Sequence, residues 1–148
     1  MRNSWVEKMR QLHDRVFDAP DILFPHRADP AQKPSLPLDG YAGTYFHPAY
    51  LNLTITAAGS HPLLMPKAEL RMVREDFTWP MIGEFEHVTG EYWIMYGYFV
   101  YVPIDARVEF SPVRFQLGPD GKVLSFEIEW GNAPMGKGDG VIRFDKIE

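Results

Sequence analysis

From Gly43 onward, apolar and polar residues alternate with a period of two, and no other feature constrains the fold of this chain as strongly. Leu51, Leu53 and Ile55 alternate with Asn52, Thr54 and Thr56; Phe85 and His87 with Glu84 and Glu86; Leu124, Phe126, Ile128 and Trp130 with Ser125, Glu127 and Glu129. Successive side chains of an extended strand point to opposite faces, so each segment reads as a strand with one dry and one wet face. On this register both glutamate pairs face water as solubilising charges. Further strands are expected over Gly43–His47, Glu69–Val73, Glu91–Val102, Arg107–Phe110, Val113–Leu117 and Val141–Asp145. Turn chemistry separates them at Ala58-Gly59-Ser60, Thr89-Gly90, Gly118-Pro119-Asp120-Gly121 and Gly131-Asn132, with Asp120-Gly121 the sharpest hairpin signal. About eight or nine short strands in succession predict an antiparallel meander that closes into a barrel.

Tyr92–Val102 breaks the alternation: it is apolar or aromatic on both faces, which a half-exposed sheet does not tolerate. Its outer face needs a cover. Three are available: an N-terminal helix, a partner subunit, or that same helix lying outside a ligand-filled interior. The helix is predicted over Asn3–Phe17, where Trp5, Val6, Met9, Leu12, Val16 and Phe17 recur near the 3.6-residue period and Ser4 with Glu7 has the form of a capping box. Between Asp18 and Gly40, Pro20, Pro25, Pro30, Pro34 and Pro37 remove amide donors and disfavour helix, predicting an extended connector. Residues 1–39 are thus read as helix and connector packed on the barrel, and residues 40–148 as the barrel itself. A start at Met1 followed by a capped helix favours an autonomous protein.

Composition narrows the function classes. Among 148 residues there is no cysteine, which excludes disulfides, thiolate metal sites and cysteine nucleophiles. A net charge of −5 without a Lys/Arg cluster opposes nucleic-acid binding. No run reaches the roughly 18–20 apolar residues of a spanning helix, and one strand of spanning length does not make a membrane barrel. A soluble, cytoplasmic chain without nucleic-acid or membrane partners is expected.

The run Leu36-Pro37-Leu38-Asp39-Gly40-Tyr41-Ala42-Gly43-Thr44-Tyr45-Phe46-His47-Pro48, behind its proline-rich lead, carries a resemblance. So do Phe85-Glu86-His87-Val88-Thr89-Gly90-Glu91-Tyr92-Trp93 and Val113-Arg114-Phe115-Gln116-Leu117-Gly118-Pro119-Asp120-Gly121-Lys122-Val123. In order and spacing, from about Trp5 to Glu148, they resemble the lipocalin-like C-terminal domain of fungal serine hydrolases of the β-lactamase/penicillin-binding class. The resemblance implies a mainly β chain: a single lipocalin-like antiparallel barrel of about eight strands with one N-terminal helix, lacking the hydrolase domain. Hydrolases of that class need a Ser-x-x-Lys nucleophile. None of Ser4, Ser35, Ser60, Ser111 and Ser125 has a lysine three residues on, so serine hydrolysis does not carry over.

The five histidines His13, His26, His47, His61 and His87 form neither a His-x-His nor a helical His-x-x-x-His pair, and no metal or other cofactor is expected. His87 shares the dry face with Phe85, either as a hydrogen-bonded core histidine or as a ligand-facing acid or base. Tyr45 shares a face with Tyr41 and His47, either pointing a phenol into the cavity or building the barrel corner around Gly43. These two, His87 and Tyr45, are the candidate catalytic residues. Trp79, Phe85, Trp93, Met95, Phe99, Tyr101, Phe115, Phe126 and Trp130 supply material for an apolar pocket, with tyrosines and tryptophans bringing polar groups that plain filler does not need.

Three readings of function follow. The first is a freestanding barrel that encloses a hydrophobic natural-product intermediate and catalyses its intramolecular cyclisation or isomerisation, a pericyclic cycloaddition being one form. Such chemistry needs orientation and one or two hydrogen bonds rather than a nucleophile or metal. The second is a non-catalytic carrier of the same hydrophobic small molecule. The third, implied by the resemblance, is an accessory or oligomerisation module of a β-lactamase-like serine hydrolase. A homodimer is compatible with each.

Overall fold

The computed structural model describes residues 18–58, 65, 67–74, 81–99, 109–129 and 141–148. The helix predicted over Asn3–Phe17 and the turn at Gly131-Asn132 lie outside them. Eight strands follow in chain order: β1 (Gly43–His47), β2 (Leu51–Ala57), β3 (Ala68–Arg74), β4 (Met81–Thr89), β5 (Tyr92–Phe99), β6 (Glu109–Leu117), β7 (Val123–Glu129) and β8 (Val141–Lys146). Each pairs antiparallel with the next, and β8 returns to β1 to close the barrel.

Two features differ from the expected elements. Arg107–Phe110 and Val113–Leu117 were separate expectations, but Glu109–Leu117 is one strand. Pro112 does not interrupt it: the residue pairs with Ile94 of β5, and the β6–β7 ladder starts only at Val113. The connector also contains a short helix, α1 (Ala19–Leu23), where an extended chain was expected. Pro20 sits in its first turn, where the missing amide would have had no helical partner anyway.

Registration builds the core. Tyr45 opposes Leu53, Ile55 opposes Met72, Leu70 opposes Phe85, Phe85 opposes Met95, Trp93 opposes Val113, and Phe115 opposes Phe126, which in turn opposes Phe144. Residues opposed across a ladder project to one face, and all of these belong to one buried cluster inside the barrel. A register shift between Gln116 and Leu117 pairs Leu117 with Val123. Leu124, expected on the dry face, is therefore 51% exposed, while Val123 is buried.

A second, smaller core lies on the outside of the sheet. Ile94 and Tyr96 of β5 pack with Ala19, Met65, Ala68 and Val88, and Leu23, Phe24 and Phe110 lean against them. This is part of the cover that the doubly apolar strand required. It also corrects the reading of Glu84 as a solvent-facing charge, since Glu84 is fully buried and its carboxylate accepts the Met65 N–H at 2.7 Å. Glu86 is half-buried and accepts the Tyr96 hydroxyl at 2.8 Å. Alternation puts both glutamates on the outer face, but that face is covered here.

Candidate functional site

The barrel interior is the first place to look for a site. Tyr41 and Phe115 rings lie 4.9 Å apart, Tyr45 and Phe126 5.0 Å, Phe115 and Phe126 5.6 Å, and Phe126 stacks on Phe144 at 5.1 Å. Edge-to-face and offset contacts at these separations contribute about 0.5–1.5 kcal/mol each beyond area burial. Phe85, Trp93 and Met95 fill the remaining wall, each at most 1% exposed. An eight-stranded barrel is just wide enough to be filled by side chains or to hold one small ligand. Among the described residues it is filled.

One end of this interior is closed by the connector. Gln32 donates its N–H to Thr89 Oγ1 at 2.9 Å, and Gly90 donates its N–H to the Gln32 carbonyl at 2.9 Å. Ser35 donates its N–H to Glu91 Oε1 at 3.0 Å, and the Tyr41 hydroxyl donates to Glu91 Oε2 at 2.7 Å. Leu36 N–H reaches the same tyrosine oxygen at 3.3 Å. Glu91 thus ties the proline-rich lead and the first barrel tyrosine to the β4–β5 turn. Sequence reasoning missed it, although its place directly after Thr89-Gly90 is the signal that marks a turn residue.

The predicted site residues separate into three groups. Tyr45 is fully buried and donates its hydroxyl to the Tyr41 carbonyl at 2.7 Å, so its phenol acts as a strut of the β1 corner. Burial pushes its pKa well above the ordinary tyrosine value. His87 is half-buried, with its ring 5.0 Å from Trp93 and Nε2 2.9 Å from the Gly90 carbonyl. A carbonyl only accepts, so Nε2 carries the proton and Nδ1 keeps its lone pair in the neutral ring. Phe85, Trp93, Met95, Phe115 and Phe126 converge in the interior core. Trp79, Tyr101 and Trp130 lie outside the described residues, and Phe99 is described only by its backbone pairing with Met81.

Trp93 is the one member of this group with unspent hydrogen-bonding capacity among the described residues: its indole Nε1–H is buried without an acceptor. Among the described residues no three of His, Asp and Glu gather as metal ligands. No helix among them is long and apolar enough to cross a membrane.

Open concave surface lies on the outside instead. One groove of about 510 Å³ runs over Thr44, Asn52, Thr54, Thr56 and Val73 beside Glu148. Another, of about 380 Å³, lies between α1 and the outer faces of β5 to β8, with Ile22, Tyr92, Pro112, Arg114, Glu129 and Val141 in its walls.

A family model described as a domain of unknown function, DUF3471, matches residues 27–142. The chain belongs to the DUF3471 family. The match takes in the connector clamp at Gln32–Tyr41 and every strand through β7, and it leaves out α1. The DUF3471 chain is also similar to an unguisins hydrolase of Aspergillus campestris, 33% identical over 129 residues, which is 86% of this chain and 22% of that relative. A second unguisins hydrolase, of Aspergillus violaceofuscus, is 26% identical over 136 residues, or 87% of this chain and 22% of the relative. The chain therefore spans about a fifth of the length of these curated relatives. No solved structure matches it at a significant level.

Proposed function

We propose that this DUF3471 barrel is a module of a hydrolase-type protein, and that it works through its outer surface rather than by turning over a substrate in its interior. The observation that carries this reading is the filled barrel: Tyr45, Phe85, Trp93, Phe115 and Phe126 occupy the volume that a chamber would need, and the described grooves are external. Similarity to hydrolases over a fifth of their length supports it. The missing Ser-x-x-Lys element supports it too, since the hydrolytic chemistry would then reside in another part or another chain. The proposal extends to the cytoplasm as the site of action, where a chain without cysteine needs no oxidising compartment.

A second reading keeps the interior as a site, either for a bound hydrophobic molecule or for its cyclisation or isomerisation. What favours it is the Trp93 indole N–H, buried without an acceptor among the described residues, with the His87 ring 5.0 Å away in the same corner of the barrel. Native mass spectrometry of the protein from its producing cells decides between the two. The module reading expects no retained small molecule, whether the protein runs as one copy, as two, or with a larger hydrolase chain. A hydrophobic small molecule retained at one per barrel would overturn it in favour of the interior site.

A further inference from the structure

The second core leaves the outer face of the barrel unevenly covered. It closes over Ile94 and Tyr96 but stops short of Tyr92, two residues earlier on the same face of β5. Ile22, Tyr92 and Val141, 44%, 42% and 46% exposed, stand in the walls of the groove that opens there. Single exposed apolar residues are ordinary, but several in one concave site mark a contact surface. Register sets Arg114 against Tyr92 on one side and Glu127 on the other, and its guanidinium lies 5.9 Å from the centre of the Tyr92 ring. Glu127 and Glu129 both line the groove with Arg114, so it is net negative. It calls for an apolar stripe edged by cations.

The chain carries such a segment at the groove's own edge. Residues 3–17 lead directly into Asp18, the N-cap of α1, and α1 supplies Ile22 and Leu23 to the groove wall. At the helical period predicted for this segment, Trp5, Met9, Leu12 and Val16 fall in one stripe. Lys8 and Arg15 border the stripe on one side and Arg10 on the other, while Glu7 and Asp14 fall on the far side. As a helix the segment is about 22 Å long. Crossing from β5 to β8 takes about 14 Å at the usual strand spacing. The stripe is therefore long enough to span the groove. Tethering selects this occupant, because a segment on so short a link meets the groove at a local concentration of about millimolar, which a free competitor has to exceed.

We propose that residues 3–17 dock in this groove as a helix, with the apolar stripe on Ile22, Tyr92 and Val141 and the flanking cations beside Glu127 and Glu129. The segment completes the cover of β5 that the second core begins. It does so whether or not the barrel serves a hydrolase.

The chain has no cysteine, so an introduced pair reports a single contact. In the full-length chain carrying Val141→Cys, a second cysteine from Trp5→Cys, Met9→Cys or Leu12→Cys is compared with Gln11→Cys, on the opposite side of the predicted helix. Under mild oxidation in dilute solution, at least one stripe position is expected to close an intrachain disulfide about tenfold faster than Gln11→Cys, read by mass spectrometry. Adding Glu129→Lys, at an exposed position, is expected to slow that closure severalfold through like-charge contact, with the unfolding midpoint unchanged. Closure at Gln11→Cys as fast as at all three stripe positions, or no closure at any, would overturn the proposal. Disulfides formed only between chains would also overturn it, assigning the groove to a second copy. So would loss of closure with co-sedimentation on vesicles of phosphatidylserine and phosphatidylcholine, which would assign the stripe to a membrane surface.

Discussion

Three tyrosines show how single residues are used here. Tyr41, Tyr45 and Tyr96 are fully buried, and each donates its hydroxyl, to Glu91, to the Tyr41 carbonyl and to Glu86 respectively. Burial raises all three pKa values well above the ordinary 10.0, and the carboxylate acceptors of Tyr41 and Tyr96 raise theirs further. An acid whose folded-state pKa is raised binds more protons folded than unfolded. Its contribution to stability is therefore intact below the unfolded pKa and lost as pH rises above about 10. Urea unfolding from about pH 8 to about pH 11.5 should show flat stability and then a decline, each fully buried phenol contributing up to about 1.4 kcal/mol per pH unit. Unchanged stability through that range, with phenolate absorbance appearing at the ordinary pH, would show that these hydroxyls are not buried donors. Period two put Tyr45 on one face with Tyr41 and His47 and left open an inward phenol or a builder of the barrel corner. The buried strut at the corner rests on a backbone carbonyl acceptor, which no side-chain pattern reveals.

At the scale of elements, the seam between β1 and β8 is the critical closure. Tyr45 pairs with Lys146 and Phe46 with Asp145, and the contact is extended by Ile147 N–H donating to the Thr44 carbonyl at 2.9 Å. Gly43 makes this approach feasible. Its φ is +146°, and a Cβ there would lie 2.4 Å from the Glu148 carbonyl oxygen and 2.7 Å from Lys146 Cε. Gly43→Ala should cost about 1–3 kcal/mol in backbone strain alone, with more from the displaced chain end. Gly121→Ala is the internal control: φ is +79° but nothing lies within 4 Å, so only the backbone term applies. Thermal unfolding of both variants should rank Gly43→Ala as clearly the more damaging, and equal effects would remove the seam from the argument. The strands themselves were largely readable, with Gly43–His47 found at its expected limits and β2, β7 and β8 within a residue or so. What alternation missed came from non-local packing: Glu84 lies under Met65, and a bulge turns Leu124 outward.

At the scale of the molecule, the sequence pattern specified a closed barrel but left its interior undecided, because the same inward aromatics can line a pocket or fill one. The difference lies in three-dimensional packing. Phe126 contacts Tyr45, Phe85, Phe115 and Phe144, so the centre is occupied by rings that meet one another. The doubly apolar β5 was likewise readable as needing a cover, and its outer face turns out to be divided between an intramolecular cover at Ile94 and Tyr96 and an open groove at Tyr92. Equilibrium unfolding of Phe126→Ala tests the central claim most directly. A filled barrel predicts a loss of about 3–5 kcal/mol, the cost of emptying a well-packed aromatic site. A loss below about 1 kcal/mol would contradict it, because a ring that lines an existing void has few contacts to give up.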